Sequence, residues 1–207
     1  FIYGNTKPGN YLTKNYKNIY LDNLKFRFKS TSNEYTEKLI DKLNIEKFDI
    51  IEIHNRPLVL MSLIKKIDAK FIMYYHNDPL SMSGSKTISE RNEIINKVDK
   101  LIFISKWVKN RFFKGIDNKF LHKTEVIYHS ANSRKKTAKY NYIVFVGKLN
   151  YSKGYDIYKD AILKILDEFP NWKALSIGDE SRRNIYINHK QHKELGFLNH
   201  NKTLEIL

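Results

Sequence analysis

The 207-residue sequence contains no cysteine. Disulfides and thiolate metal sites are therefore excluded, and the chain fits a reducing compartment. Glycine and proline are scarce, at 8 and 4 residues. No apolar run approaches the ~20 residues of a membrane-spanning helix, and no signal peptide is visible. The sequence opens on Phe1 rather than methionine, so a signal ahead of it would not be seen. There is no short-period repeat and no long block of like charge. Arg134-Lys135-Lys136 is the densest cluster.

What is present is globular: 42% hydrophobic residues, 14% aromatics and a formal charge of +15. The charge has two readings. One is an anionic partner such as a nucleotide, nucleic acid or an acidic membrane surface. The other is coding bias, because Lys, Asn, Ile, Tyr and Phe abound. Charge spread along the whole chain argues against a nucleic-acid binder, which concentrates it on one face.

The most informative stretch is Tyr142 to Tyr155, YIVFVGKLNYSKGY. Ile143-Val144-Phe145-Val146 reads as a strand buried on both faces. Gly147 stops it, a polar loop with Lys148 and Lys153 follows, and a helix starts after Gly154. The pattern of strand, glycine turn and helix places ligands at the carboxyl end of a parallel sheet. Two lysines beside a helix N-terminus predict a phosphate or another anion there. Two solvated surface lysines are the plainer alternative.

Elsewhere strands and helices alternate. A helix is expected after Thr31-x-x-Glu34, a capping-box spacing that recurs at Thr87-x-x-Glu90. Strands are expected at residues 48–54, 71–76, 100–104 and 124–128, with a weak one near Ile19-Tyr20-Leu21. Pro57 opens a helix, and Ser105 caps another that Gly115 ends. Beyond the organising strand come a helix to Phe169, a strand at 172–177, a helix near 181–191, a short strand at 195–198 and a helix from Lys202. This alternation predicts an α/β fold with parallel sheets. Residues 129–141 are polar and basic without periodicity, as in an interdomain linker. The division is therefore 1–133, a linker at 134–141, and 142–207: two Rossmann-like halves facing a cleft.

In order along the chain, FDIIEIHNRP, MYYHNDP, VDKLIFISKWVKNRF, KTEVIYHSAN, VGKLNYSKGYDIYKDAI, LSIGDE and ELGFLNHNKTLEIL resemble segments of the family-4 retaining glycosyltransferases of the GT-B fold. The likeness covers most of residues 45–207. Gly147, Leu149, Lys153 and Gly154 match the family's Val-Gly-Arg-Leu and Lys-Gly elements, with Lys148 in place of Arg. Ile127-Tyr128-His129-Ser130 departs from the usual Ile-Pro-Asn-Gly. The family's Glu-x7-Glu motif lies beyond Leu207, and its first strand and glycine-rich loop find no match in residues 1–40. Both domains are thus expected to be incomplete.

The resemblance implies transfer of a sugar, with retention, from a nucleotide-sugar to a glycan or lipid-linked acceptor in cell-envelope polysaccharide or lipopolysaccharide synthesis. It implies no metal and no cofactor beyond the co-substrate. It also implies a cytoplasmic protein at the inner membrane face, with contact to anionic lipid. The leaving phosphate would help to deprotonate the acceptor hydroxyl. The alternative is a non-catalytic module that binds nucleotide or another anion.

Residue by residue, Gly147, Lys148 and Lys153 would hold the donor diphosphate, and two cations there would neutralise charge that grows as the sugar–phosphate bond breaks. Gly178 would lie on the nucleotide side, although turn geometry alone would explain either glycine. His76, at a strand end, would contact the reacting centre and could pass a proton; a structural histidine bonded to a loop is the alternative. His54, Asn55, Arg56, Asn77 and Asp78 would lie on the acceptor side. The alternatives there are an Asx-turn before Pro79 and a helix-entry turn at Pro57. His129, His189, His192 and His200 form no metal-ligand set, and His189-x-x-His192 lacks a third ligand.

Overall fold

The computed structural model describes residues 2–4, 18–20, 31–130, 138–181 and 185–207. Half of the expected linker, with Arg134-Lys135-Lys136, lies outside them, as does part of the helix expected at 181–191. The chain divides into two compact units, Phe1–Asn132 and Ser133–Leu207.

The first unit opens with β1 (Ile2–Gly4), paired in parallel with β2 (Asn18–Tyr20). A strand thus exists where the family resemblance found none; three residues are too short to show a period. After α1 (Thr31–Ile45) come β3 (Ile50–His54), α2 (Pro57–Ile64), β4 (Lys70–Tyr75), α3 (Ile88–Lys97), β5 (Lys100–Phe103), α4 (Lys106–Phe113) and β6 (Thr124–Val126). The four strands β3-β4-β5-β6 form one parallel sheet in chain order. Parallel neighbours require crossovers, and α2, α3 and α4 supply them.

Local chemistry sets the ends of these helices. Pro57 stands at the first turn of α2, where a missing N–H costs nothing. Thr87 and Glu90 exchange side-chain-to-backbone hydrogen bonds in a complete capping box on α3. Ser105 accepts from the Val108 amide at the start of α4. The core of this unit comprises Leu60 and Leu63 of α2, Met73 and Tyr75 of β4, Ile94 and Ile95 of α3, and Leu101, Phe103 and Phe112.

Strand periodicity decides what remains outside that core. Phe71, Met73 and Tyr75 are buried, so Ile72 and Tyr74 point to the opposite face. The register sets Glu52 beside Ile72 and His54 beside Tyr74. Glu52, His54 and Tyr74 therefore share the face turned away from the helical core, at the carboxyl ends of the strands.

The second unit is smaller. β7 (Tyr142–Val146), β8 (Lys173–Ile177) and β9 (His192–Gly196) form a parallel sheet in that order, with α5 (Tyr155–Glu168) after β7 and α6 (His200–Ile206) after β9. Its core consists of two groups: Leu149, Tyr155 and Ile185; and Ile162, Leu166 and Ala174. The β7 segment is not buried on both faces. It is an edge strand of a three-stranded sheet, and Val146 is 49% exposed. A continuous apolar run does not distinguish an edge from a centre.

No helix forms over the described part of 181–191. Ile185 is drawn into the core beside Leu149 and Tyr155, and the Gln191 side chain straps this segment to the carbonyls of Pro170 and Trp172 at 2.7 Å each. β9 starts three residues earlier than the sequence pattern suggests, because His192 pairs with Ala174. Among the described residues, no helix is long and apolar enough to cross a membrane.

Candidate functional site

In the first unit, the carboxyl ends of β3, β4 and β6 gather three histidines. His54 Nε2 lies 2.6 Å from Glu52 Oε1. His54 Nδ1 lies 2.7 Å from His76 Nε2, and His76 Nδ1 lies 3.0 Å from His129 Nε2. The rings of His54, Tyr74 and His76 stack on one another with centroids 4.5–5.1 Å apart. The Tyr74 hydroxyl donates to the Ile127 carbonyl at 3.0 Å, fastening the chain that carries His129 to the end of β4. Burial, followed by the proximity of His54 and His129, lowers the His76 pKa.

Asn55 holds this cluster in place. It is the one non-glycine residue with positive φ among those described, at 53°. Asparagine tolerates that conformation better than most residues. The turn directs its Oδ1 to accept from the amides of His76, at 2.8 Å, and Asn77, at 3.3 Å. Asn55 thus ties the end of β3 to the start of the loop after β4.

The other acceptor-side candidates go elsewhere. Asp78 caps the 3₁₀ turn Pro79–Ser81 through the Leu80 amide and takes a two-pronged contact from Arg111, with Nη2 to Oδ2 at 2.8 Å. The Arg111 guanidinium holds its carboxyl below the usual carboxylate range. The Arg56 guanidinium lies over the Tyr35 ring of α1, 5.1 Å from its centroid. Asn77 is exposed.

In the second unit the site is built from backbone. The turn after β7 runs through Gly147 and Lys148 into a 3₁₀ turn, Tyr151–Lys153, and then Gly154 at φ 71°. The side chains of Asn150 and Glu180 bond at 2.8 Å, joining this turn to the loop after β8. A Cβ on Gly178 would fall 1.8 Å from the Gly147 carbonyl oxygen, and the Gly147 amide donates to Ile177 O at 2.9 Å. Close approach of these two turns therefore accounts for a glycine at 178. The helices α3, α4 and α6 each have a side-chain N-cap, whereas α2 and α5 have none, and α5 begins at Gly154. Lys148 and Lys153 are exposed, and neither ammonium is paired among the described residues. An uncapped helix start flanked by two lysines favours an anion.

The structure thus brings His54, Asn55, His76 and Asn77 together in one unit, and Gly147, Lys148, Lys153 and Gly178 in the other. Glu52 and His129 join the first group without having been singled out. His129 comes from a segment 53 residues beyond His76. Its one sequence signal is the departure at Ile127-Tyr128-His129-Ser130. Among the described residues, no group of histidine and carboxylate side chains could hold a metal ion.

Comparison with solved structures places this architecture. Anabaena HepE, crystallised with UDP-glucose, superposes with a TM-score of 0.61 at 16% identity, covering 80% of this chain and 52% of HepE. The fold is that of the GT-B glycosyltransferases. TarM of S. aureus, crystallised with UDP and alpha-GlcNAc-glycerol among its ligands, gives 0.57 at 10% identity over 79% of this chain and 37% of its own. By sequence, the chain is 24% identical over 191 residues to YtcC of Bacillus subtilis (strain 168), which is named as a glycosyltransferase. The match covers 80% of this chain and 46% of YtcC, so the chain spans about half the length of the relative it matches. No family model matches the sequence.

Proposed function

We propose that the protein is part of a retaining glycosyltransferase that moves a sugar from a nucleoside-diphosphate sugar to a glycan or lipid-linked acceptor of the cell envelope. The observation that carries this reading is the turn between β7 and α5. It presents an uncapped helix N-terminus and two unpaired lysines at the carboxyl end of a parallel sheet. The GT-B neighbours, two of which were crystallised with UDP or UDP-glucose, support a uridine diphosphate as the nucleotide.

In this reading Lys148 and Lys153 hold the diphosphate and stabilise the charge that grows on it as the glycosidic bond breaks. The histidine cluster of the first unit is read as the acceptor side. Transfer proceeds without a metal ion. The +15 charge assists the approach of both anionic donor and anionic lipid surface.

Calorimetric titration of UDP tests the assignment. Replacing Lys148 and Lys153 together by alanine should weaken UDP binding by about 10²- to 10⁴-fold, since each charge-assisted contact is worth roughly 1.5–3 kcal/mol. Equal affinity in the double variant would remove both lysines from the donor site. Absence of UDP binding by the unaltered protein would remove the uridine nucleotide itself.

A further inference from the structure

We infer that Glu52, His54, His76 and His129 form an acid-released latch, which binds one proton with all its contacts intact and on binding a second lets go of the chain after β6. The inference lies within the first unit and stands apart from the transferase reading.

The capacity follows from counting hydrogens. A hydrogen bond carries one hydrogen between its two heavy atoms, so two N–H groups do not face each other across about 3 Å. A glutamate carboxylate only accepts, so the 2.6 Å contact places a hydrogen on His54 Nε2. A second hydrogen lies between His54 Nδ1 and His76 Nε2, 2.7 Å apart, and a third between His76 Nδ1 and His129 Nε2, 3.0 Å apart. These are the three hydrogens that three neutral imidazoles carry. The ring nitrogen left over is Nδ1 of His129, an exposed residue. A fourth hydrogen binds there without disturbing a contact, and the cluster then holds one positive charge opposite Glu52. Above about pH 5, where Glu52 stays ionised, a fifth has no vacant nitrogen. It sets two N–H groups against each other and breaks a contact between imidazoles.

The contact that yields is the one to His129. His54 and His76 are fixed by the pairing of β3 with β4, by Tyr74 against both rings at 4.5–5.1 Å, and by Asn55, which accepts from the His76 amide at 2.8 Å. His129 follows β6, makes the longer of the two imidazole contacts, and has its ring tilted 37° to that of His76. The Tyr74 hydroxyl on the Ile127 carbonyl marks where the released chain begins. Once His129 leaves, His76 Nδ1 can take a proton and the separate His129 ring another, so the open form binds two where the closed form binds one. Opening therefore takes up one proton, and the ratio of open to closed should rise by up to about tenfold per pH unit below the ordinary histidine value near 6.5. The lowered His76 pKa has the same sense, with burial as its first cause and the two neighbouring imidazoles next. The titratable groups facing His76 are Glu52 and His54 from β3, Tyr74 from β4 and His129 from the chain after β6. Tyr74 stays neutral throughout this range. Histidine clusters that gain charge between about pH 5 and 6 are a general means of switching a packed contact.

The chain has no cysteine, so a nitroxide attached to Ser130→Cys, at an exposed position beside His129, reports on this segment alone. Its paramagnetic resonance spectrum should show a held label at pH 8 and a growing mobile component toward pH 5, with a limiting slope of about tenfold per pH unit. A ratio of mobile to held label that stays constant from pH 8 to 5 overturns the latch. In His129→Gln the amide can turn to donate to His76 Nδ1 or to accept from it, so the closed form binds as many protons as the open one and the ratio should not change with pH. An undiminished slope in that variant also overturns the proposal. Proton–nitrogen correlation spectra of ¹⁵N-histidine-labelled protein, assigned with His54→Gln, His76→Gln and His129→Gln, count the protons bound. One ring charge should appear while the label is still held, and two charged rings with a held label would refute the count. Trp107 emission in a Trp172→Phe background should stay constant over the same range. A change that tracks the label would mean that the unit unfolds, and the latch would fall with it.

Discussion

The two units solve the same problem by opposite means. At the strand ends of the first unit, side chains are locked to one another before any ligand arrives: carboxylate to imidazole, imidazole to imidazole, ring on ring, and Asn55 pinning the loop amides. At the strand ends of the second, the turn is fixed by backbone contacts, glycines and the Asn150–Glu180 bond, and the two lysines, Lys148 and Lys153, are unpaired among the described residues. The first arrangement suits proton handling, which needs donors and acceptors held in register. The second suits a diphosphate, which supplies the counter-charge itself. Their cores differ in the same sense: one large cluster beneath the histidines, two small ones beneath the lysines.

The sharpest way to break the comparison is at Arg91, the buried clip of the first unit. Arg91 is 2% exposed, and its guanidinium donates to the carbonyls of Phe112, Ser85, Lys86 and Lys114 at 2.6–3.2 Å. Arg91→Met leaves four carbonyls without that donor, and the first unit should lose on the order of 4 kcal/mol. Arg91→Lys should recover only part, because an ammonium lacks the planar fork. Trp107 of α4 and Trp172 ahead of β8 are the two tryptophans, so urea titrations in Trp→Phe backgrounds read each unit separately. A loss that appears equally at Trp172 would mean that the two units unfold as one.

The second unit is most sensitive at its paired turns. Gly178→Ala sets a methyl against the Gly147 carbonyl in a backbone with φ 148°, and should cost about 3 kcal/mol. Gly154 has φ 71° but open space around the position of a Cβ, so Gly154→Ala should cost only about 1 kcal/mol. Similar losses at the two positions would show that conformation rather than contact governs this turn.

Much of this was legible in the sequence, and the limits have physical causes. Helix ends were readable because caps are local: Thr87 with Glu90, Ser105 with Val108, and Pro57 at the head of α2. The strands ending near His54 and His76 were readable from apolar runs, and their parallel pairing from the helices between them. The partnership of His76 with His129, and of Asp78 with Arg111, was not. Those contacts span 53 and 33 residues, and no local period records them. Arg91 read as one more basic residue in a chain of +15, because burial of a guanidinium depends on carbonyls supplied by other segments. The helix expected at 181–191 gave way to the pull of Ile185 into the core, a tertiary preference that propensity does not contain.

The smallest effect concerns pH and again divides the units. In the second, the Tyr155 hydroxyl donates to Ser176 Oγ at 3.1 Å, and Ser176 Oγ lies 2.8 Å from His192 Nε2. With its own oxygen receiving that bond, Ser176 is free to donate its hydrogen to a neutral Nε2. Burial lowers the His192 pKa; Glu194 and the Ile187 carbonyl oppose the shift, and His189, itself 3.4 Å from Asp167, adds to it. A folded-state value below the ordinary 6.5 means that the unfolded chain binds the proton first as pH falls. The stability of the second unit should therefore be flat above about pH 6.5 and decline below it, until the folded state also protonates. His76 carries a shift of the same sign in the first unit, so the discriminating variant is His192→Gln. It should flatten the decline read at Trp172 and leave the one read at Trp107 in place. An unchanged slope at Trp172 would assign the acid sensitivity of the second unit to a group other than His192.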